Sequence, residues 1–268
     1  MSENAVQIRD LVKTFGGGRN LFGRKASEVH AVRNISLDLK RGETLGIVGE
    51  SGSGKSTLAR MLVGLERPTS GAMAIDGKPW EELASAGSRA FGRTIQYVFQ
   101  DPVASLNPRK TIGDILDVPL NLLCGYDSDK RKRRKKDLID AVQMPLDTLE
   151  RFPHEFSGGQ AQRIAIARAM AAEARILVLD EPVSALDVSV QAQVLLLLRQ
   201  LRDDLDLSYL FISHDLAVVE SISDRVAVMY LGEVVEVGPA AQLFAAPQHD
   251  YTRALIASAP RLTTSDAA

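Results

Sequence analysis

The chain has 268 residues, of which 45% are hydrophobic and 25% are charged, as is ordinary for a soluble globular protein. Its formal net charge of −2 argues against a general nucleic-acid-binding protein, which is usually basic. Cys124 is the only cysteine, so an intrachain disulfide is excluded and a reducing cytoplasm is expected. We see no signal-peptide pattern and no apolar run near the roughly 18–20 residues that span a bilayer. Any membrane role is therefore expected to depend on a partner.

The first part of the chain alternates in a way that predicts strands. These strands are predicted at 6–11, 31–39, 45–48, 72–76 and 95–99. A glycine-rich, basic segment at 16–25 predicts an exposed loop between the first two strands, and residues 57–63 predict a helix after the third. Antiparallel strands that lead into a strand, a loop and a helix indicate a mixed sheet.

The loop between the third strand and this helix has the spacing Gly-x-x-x-x-Gly-Lys-Ser/Thr of the phosphate-binding P-loop. Its residues are Gly49, Glu50, Ser51, Gly52, Ser53, Gly54, Lys55, Ser56 and Thr57. The glycines permit backbone conformations closed to other residues, so that N–H groups converge on phosphate at the positive end of a helix. Lys55 is expected to reach the β- and γ-phosphates, and the Ser56 hydroxyl to bind Mg²⁺. The alternative, a chance glycine-rich turn, does not explain the flanking strand and helix, so we predict binding of a nucleoside triphosphate.

The middle of the chain, from about 111 to 156, predicts helices at 112–123 and 131–142 in place of strands. We interpret it as a helical insertion between two halves of the nucleotide-binding core. A basic run at 130–136 is typical of a nucleic-acid or anionic-lipid contact, or of a solvated helix surface. The last interpretation is favoured, because aspartates flank the run and aromatic residues are absent from it.

The last part of the chain alternates between helices and strands. Helices are predicted at 161–172, 188–204 and 216–221, and strands at 176–179, 208–212, 226–230 and 233–237. The last two strands form a hairpin around Leu231 and Gly232. Such alternation predicts a parallel sheet covered on both faces. From residue 240 we expect a short helical tail, frayed at 263–268.

Two carboxylates follow the apolar strand 176–179. We expect this strand to lie beside the P-loop strand, which would bring Asp180 close to Mg²⁺. Glu181, one residue further, is expected to orient the attacking water or accept its proton. The alternative, two surface acids at a strand end, is common by itself but not in a chain that also carries a P-loop.

A second glycine-rich helix start follows Phe156. Its residues are Ser157, Gly158, Gly159 and Gln160. It is a second natural phosphate site, and since one nucleotide needs one such site, this one is expected to serve a nucleotide on another chain. The sequence therefore predicts a head-to-tail dimer in which each chain closes the ATP site of the other.

Ser-Gly-Gly-Gln shortly before Asp180-Glu181 resembles the signature of the ATP-binding cassette (ABC) ATPases, and the resemblance covers nearly the whole chain. It implies an α/β fold: a P-loop NTPase (RecA-like) core with a mixed sheet, an antiparallel β subdomain and an inserted α-helical subdomain. It also implies four regions. Residues 1–100 form the first half of the core with the antiparallel β subdomain and the P-loop, 101–160 the helical subdomain ending in the signature, 161–239 the second half of the core, and 240–268 a C-terminal tail.

The resemblance also implies roles for four other residues. Gln100 matches the glutamine that contacts Mg²⁺ and the attacking water and senses the transporter. Asp187 ends the loop that crosses the dimer interface, and His214 matches the histidine that contacts the γ-phosphate. Phe15 matches the aromatic residue that stacks on adenine, although many phenylalanines at strand ends simply pack in the core.

Longer segments resemble the oligopeptide/dipeptide importer ATPases within this family. They are Val98–Pro102, Ala104–Arg109, Phe152–Phe156, Val183–Val188 and Pro247–Thr252. In the last of these Asp250 replaces a proline. Some relatives carry a cysteine cluster in the tail, and since this chain has none, no iron–sulfur centre is expected. Ala161 stands where many relatives have a basic residue, which we expect to tune activity.

The expected function is that of the ATP-hydrolysing subunit of an importer for a small solute, with oligopeptides or dipeptides favoured over nickel, glutathione or a sugar. The expected partners are a second cassette, identical or different, transmembrane permease subunits and, indirectly, an extracytoplasmic substrate-binding protein, but no nucleic acid. The expected location is peripheral, on the cytoplasmic face of the inner membrane.

A soluble ABC ATPase acting on DNA or ribosomes is an alternative, disfavoured because long insertions and a tandem cassette are absent. A small-molecule kinase is another, disfavoured by the signature at Ser157 and by His214.

Overall fold

The computed structural model describes residues 3–16 and 28–258. Most of the predicted loop at 16–25 and the predicted frayed end at 263–268 therefore lie outside the described residues. The strands are β1 (Asn4–Phe15), β2 (Val29–Lys40), β3 (Thr44–Val48), β4 (Ser70–Ile75), β5 (Lys78–Pro79), β6 (Ile95–Val98), β7 (Ile176–Asp180), β8 (Ser208–Ile212), β9 (Arg225–Tyr230) and β10 (Glu233–Pro239).

The helices are α1 (Lys55–Leu62), α2 (Trp80–Ala86), α3 (Ser88–Thr94), α4 (Pro102–Ser105), α5 (Ile112–Leu122), α6 (Ser128–Ala141), α7 (Gly158–Met170), α8 (Val188–Leu205), α9 (Leu216–Ile222), α10 (Ala240–Ala245) and α11 (Asp250–Ser258), with 3₁₀ turns at Leu146–Glu150 and Pro153–Glu155. No helix among the described residues is both long and apolar enough to cross a bilayer.

The strands form two sheets. One has four strands in the order β2-β1-β4-β5, and its pairs are antiparallel. The other has six strands in the order β10-β9-β3-β8-β7-β6. Its pairs are parallel except for the β9–β10 hairpin, which is antiparallel. The predicted mixed sheet and the predicted antiparallel sheet are both present.

The predicted position of the Asp180 strand was wrong in one respect. β7, which ends at Asp180, does not pair with the P-loop strand β3, because β8 lies between them and pairs with both. Parallel strands are joined by crossovers that need not connect neighbours, so the order of motifs along the chain does not fix the order in the sheet. Since β3, β7 and β8 are all parallel, their carboxyl ends still meet at one edge.

The six-stranded sheet is covered on both faces, as predicted, and its strands alternate between two hydrophobic cores. In β7, Leu177 and Leu179 pack in the core that holds helices α5 to α9. Ile176 and Val178 pack on the opposite face, in the core shared with α1 and the antiparallel sheet. The carboxyl edge of the sheet is therefore held between two cores.

Helices α2 and α3 were not predicted. They are seven residues each, separated by Gly87, and are too short for a clear helical period in the sequence. Trp80 and Phe91 from these helices are buried with their rings in edge-to-face contact. The Trp80 indole N–H donates to the Met61 carbonyl at 2.8 Å, which ties α2 to the end of α1.

Candidate functional site

The P-loop joins β3 to α1 and lies against two other strands. At Gly49, with φ 149°, an added Cβ would lie 2.1 Å from the Met229 carbonyl oxygen in β9. At Gly54, with φ 102°, it would lie 2.2 Å from the Ala31 carbonyl oxygen in β2. Glycine is required at both positions, because the backbone conformation and the close approach exclude a side chain.

Lys55 is the first residue of α1 and only 6% exposed. Its Nζ donates to the Gly49 carbonyl at 2.7 Å, to the Glu50 carbonyl at 2.8 Å and to Ser53 Oγ at 3.3 Å. Burial lowers the pKa of the Lys55 ammonium. The cation is thus held inside the loop whose amides are expected to bind phosphate.

Asp180 ends β7 and is 7% exposed. Its Oδ1 lies 3.3 Å from the Ser56 hydroxyl, which donates to it, and its Oδ2 accepts a hydrogen bond from the buried Tyr97 hydroxyl. Burial and this hydrogen bond raise the pKa of Tyr97 well above its usual value, so the phenol remains a donor. A hydroxyl and a carboxylate side by side are oxygen ligands of the kind that Mg²⁺ takes together with phosphates and water, so the pair fits Mg²⁺. Tyr97 was not singled out from the sequence, because only its long-range partner reveals its role.

Glu181 is held between two other predicted residues. Gln100 Nε2 donates to Glu181 Oε2 at 2.9 Å, and His214 Nδ1 lies 3.1 Å from Glu181 Oε1. The backbone of Glu181 has φ 50°, and its N–H donates to the Ile212 carbonyl at 2.9 Å. The structure therefore brings Gln100, Glu181 and His214 together at the carboxyl edge of the sheet.

An open cleft of about 610 Å³ lies over the P-loop. Nine of the predicted residues line it: Ser51, Gly52, Gly54, Lys55, Ser56, Thr57, Gln100, Glu181 and His214. Val29, His30 and Ala31, at the start of β2, also line it. These three were missed by the sequence analysis, which carried no signal that β2 begins beside the P-loop.

Phe15 ends β1 and pairs with Val29 in the antiparallel sheet. Its side chain is 37% exposed, and Lys13 Nζ lies 4.6 Å from the ring centroid. Phe15 is thus next to a residue that lines the cleft but does not itself line it, and its contact with adenine stays a prediction.

The predicted signature residues lie at the start of α7. Ser157 is the N-cap: its Oγ accepts from the Gln160 N–H at 3.4 Å, and its own N–H donates to Gln160 Oε1 at 3.0 Å. An added Cβ at Gly158 would approach Leu186 to 3.2 Å, and one at Gly159 would approach Val190 to 2.3 Å. The glycines therefore let α7 pack against the segment between β7 and α8 and against the first turn of α8.

Asp187 lies in that same segment, directly before α8. The Gln191 amide donates to the Val183 and Leu186 carbonyls at 3.1 and 2.9 Å and so fixes the segment's shape. Neither the four signature residues nor Asp187 line the cleft of their own chain.

The basic run lies on α6, and one part of it makes contacts within the chain. Arg131 and Lys135 pair with Asp117 at 3.0 and 2.9 Å. Lys130 Nζ lies 3.5 Å from the centroid of the Tyr126 ring. Arg131 and Lys135 join α6 to α5, and Lys130 contacts the connection between them, so the run is not a uniform solvated surface.

Comparisons with known proteins agree with this geometry. Residues 32–184 match the family model of the ABC transporter, and residues 235–267 match that of the C-terminal region of oligopeptide/dipeptide transporters. A Brucella abortus protein named as a peptide import ATP-binding protein is 50% identical over 97% of this chain and 78% of its own. The Bacillus subtilis oligopeptide transport ATP-binding protein AppF is 48% identical over 96% of this chain and 79% of its own.

Solved structures show the same fold. The ATP-binding cassette MJ0796, in a dimeric post-hydrolysis state bound to ADP and Pi, matches with a TM-score of 0.76 and 28% identity over 88% of this chain and 98% of that one. The protein cbiO1 of Clostridium perfringens, part of the transporter complex cbiONQ, matches with a TM-score of 0.78 and 27% identity over 91% and 92%. The P-loop NTPase fold is thereby confirmed.

Since the family match spans more than half of the chain and the relatives match nearly all of it, the chain belongs to the ABC transporter family, as a cassette that binds and hydrolyses ATP.

Proposed function

We propose that this chain is the ATP-hydrolysing subunit of an importer for oligopeptides or dipeptides. The observation that carries the proposal is the cluster of Gln100, Glu181 and His214 at the edge of the P-loop cleft, in a chain whose C-terminal region matches oligopeptide/dipeptide transporters. The relatives named for peptide import support the solute class. The division of the chain at residues 100, 160 and 239 is part of the same proposal, supported by the helices α4 to α6 between the two halves of the sheet.

Ser56 and Asp180 are the residues that would hold Mg²⁺, with Gln100 as the third predicted contact. Bound there, the ion would neutralise developing charge on the phosphate oxygens. Tyr97 fixes the orientation of the Asp180 carboxylate through its hydroxyl. Lys55 supplies a second positive charge from inside the loop, at a site that burial makes electrostatically strong.

Glu181 is the residue that would accept a proton from the attacking water. Its two carboxylate oxygens are held by different side chains, Gln100 on one and His214 on the other. This arrangement orients the carboxylate toward the cleft that all three residues line.

Two chains would complete each nucleotide site. Ser157, Gly158, Gly159, Gln160 and Asp187 lie away from the cleft of their own chain, and the α7 N-terminus that four of them form favours an anion. The dimeric state of the solved cassette supports this arrangement. The second cassette is either a copy of this chain or a related subunit.

The permease is proposed to contact a groove near Gln100. A cavity of about 480 Å³ there is lined by residues that include Leu65, Trp80, Phe91, Phe99 and Arg168. Leu65 is 59% exposed and Phe99 is 42% exposed, so the groove offers apolar contacts at its rim. In this assembly the chain lies on the cytoplasmic face of the inner membrane, a substrate-binding protein acts on the other side, and nucleic acid has no role.

Import of another solute is a second candidate. The glutathione import ATP-binding protein GsiA of Salmonella paratyphi A is 48% identical over 96% of this chain and 41% of its own. The two candidates share the same ATPase, since the cassette need not touch the solute.

The test is to purify the membrane complex that contains this chain and reconstitute it in vesicles with its binding protein. Peptide-loaded binding protein is expected to stimulate ATP hydrolysis and uptake of labelled peptide. Stimulation by glutathione alone would show that the solute is glutathione and not a peptide. Purification with nucleic acid but without membrane proteins would contradict the proposal of an importer.

A further inference from the structure

The C-terminal helix α11 touches the P-loop. The Glu50 N–H, at the second position of the loop, donates to the Tyr251 hydroxyl at 3.2 Å. Glu50 precedes the residues whose amides are expected to meet phosphate, and its carbonyl oxygen accepts from Lys55. The peptide group between Gly49 and Glu50 is thus held on both sides, since its carbonyl oxygen accepts from Lys55 and its N–H donates to the tail.

Tyr251 is itself held in place. Its ring lies 4.1 Å, centroid to centroid, from that of Tyr230 at the end of β9. Burial raises the pKa of the Tyr251 phenol, which stays neutral at physiological pH. The turn after Tyr230 also contacts the loop, since the Gly232 N–H donates to the Ser53 carbonyl at 3.1 Å.

The start of the tail is fixed to the sheet. The Glu236 carboxylate in β10 accepts from the Gln248 N–H at 2.8 Å and from the His249 N–H at 2.9 Å. Arg253, on α11, donates to the Pro247 and Gln248 carbonyls at 3.1 and 2.8 Å. These bonds hold the segment before α11 in one position and so determine where the Tyr251 hydroxyl lies.

We propose that the C-terminal tail is a positioning element of the nucleotide site. Tyr251 is a positioning residue that orients the Glu50 amide and, through it, the P-loop, and Glu236 keeps the tail in place for that contact. The region that matches the oligopeptide/dipeptide transporter C-terminal model thereby acts on ATP binding. This inference rests on ATP binding at the P-loop and does not depend on which solute is imported.

The first test is Tyr251→Phe, which keeps the ring on Tyr230 and removes only the hydroxyl. We expect the Kd and KM for ATP to rise about two- to tenfold, the range set by one net hydrogen bond, with kcat at saturating ATP nearly unchanged. Tyr126→Phe is the matched control: it removes a hydroxyl bonded to Glu173 at 2.6 Å, outside the cleft, and should leave ATP affinity unchanged. A purely structural role for Tyr251 would lower thermal stability and leave the KM at low temperature as it was.

The second test is Glu236→Ala, alone and together with Tyr251→Phe. If the two residues act through one contact, the double variant should raise the Kd by about as much as the larger single change, since coupled sites are not additive. Hydrogen exchange of the peptide that contains Gly49 to Gly54, measured without nucleotide, should become faster in both single variants. Unchanged ATP affinity and loop exchange in Tyr251→Phe, or effects that multiply in the double variant, would overturn the proposal.

Discussion

Glu181 shows how much the site depends on the backbone of a single residue. Its φ of 50° places a non-glycine residue in the left-handed region, a conformation that costs about 1–3 kcal/mol and is concentrated at functional sites. The bond from its N–H to Ile212 holds that conformation. The carboxylate is thereby aimed between Gln100 and His214 instead of continuing the line of β7.

Replacing Glu181 by Gln keeps the size of the side chain but removes its ability to accept a proton. We expect Glu181→Gln to bind ATP with near-normal affinity, to hydrolyse it about 10²-fold more slowly or worse, and to accumulate as a closed dimer. Phosphate release and light scattering with ATP measure the two effects. Near-normal turnover would remove Glu181 from the role of base.

Tyr97 supports Asp180 from inside the core. Tyr97→Phe leaves one buried oxygen of Asp180 without its donor, so the Mg²⁺ concentration for half-maximal hydrolysis should rise about tenfold or more, as for other groups that orient metal ligands. The free energy of unfolding should also fall by about 1–3 kcal/mol.

Tyr209→Phe separates these two effects. Tyr209 is fully buried, and its hydroxyl donates to the Leu198 carbonyl at 3.0 Å, away from the cleft. This variant should lose similar stability but keep its Mg²⁺ dependence, both read from denaturant unfolding and a Mg²⁺ titration of activity. An equal change in Mg²⁺ dependence would show that Tyr97 has no specific role.

At the scale of elements, the sequence predicted those features of the site that lie within one short motif. The P-loop and the Asp180-Glu181 pair each lie within a few consecutive residues. Their positions at the ends of strands could therefore be predicted from the local sequence pattern. The order of β3, β8 and β7 could not, because it depends on crossovers. The contacts of Tyr97 and Tyr251 could not be predicted either. Tyr97 bonds to a residue 83 positions away, and Tyr251 to one 201 positions away.

The packing of α9 on β3 depends on a glycine. At Gly46 an added Cβ would lie 2.5 Å from both Val219 and Ser223 side-chain atoms. Gly46→Ala should therefore lower the free energy of unfolding by about 1–3 kcal/mol through overpacking. Because β3 leads into the P-loop, ATP affinity should fall as well.

The control for this prediction is Gly238→Ala. At Gly238 no described heavy atom lies within 4 Å of the added Cβ and φ is not positive, so stability should change by about 0.5 kcal/mol or less. Urea unfolding of both variants makes the comparison. Equal stability of the two would show that α9 shifts freely on the sheet.

At the scale of the whole molecule, the proposed site needs a second chain, and Ser157 offers a way to test this without damaging the fold. Asp is as good an N-cap as Ser, and the α7 N-terminus favours a negative charge, so Ser157→Asp should keep its melting temperature. In the closed dimer the new carboxylate would face the triphosphate of the other chain. Like charges brought together cost several kcal/mol, so ATP-dependent dimerisation and hydrolysis should fall about 10²-fold or more.

The matched control is Thr111→Asp. Thr111 caps α5 in the same way, its hydroxyl accepting from the Asp114 N–H at 3.2 Å, but it does not line the cleft or belong to the signature. Dimerisation in this variant, followed by sedimentation, should be close to normal. Normal ATP-dependent dimerisation of Ser157→Asp would mean that the α7 N-terminus meets no triphosphate.

The strand β8 has a mechanical consequence. Its carboxyl end is bonded on both sides: the Ser213 N–H donates to Ile47 in β3 at 3.3 Å, and Ile212 accepts from Glu181 at 2.9 Å. The strands that lead to Lys55, Glu181 and His214 thus form one stiff edge of the sheet. Buried central strands open only at free energies near that of global unfolding. This edge is expected to move as a rigid body. A conformational change driven by ATP should therefore be a rotation of subdomains about the connections outside the sheet.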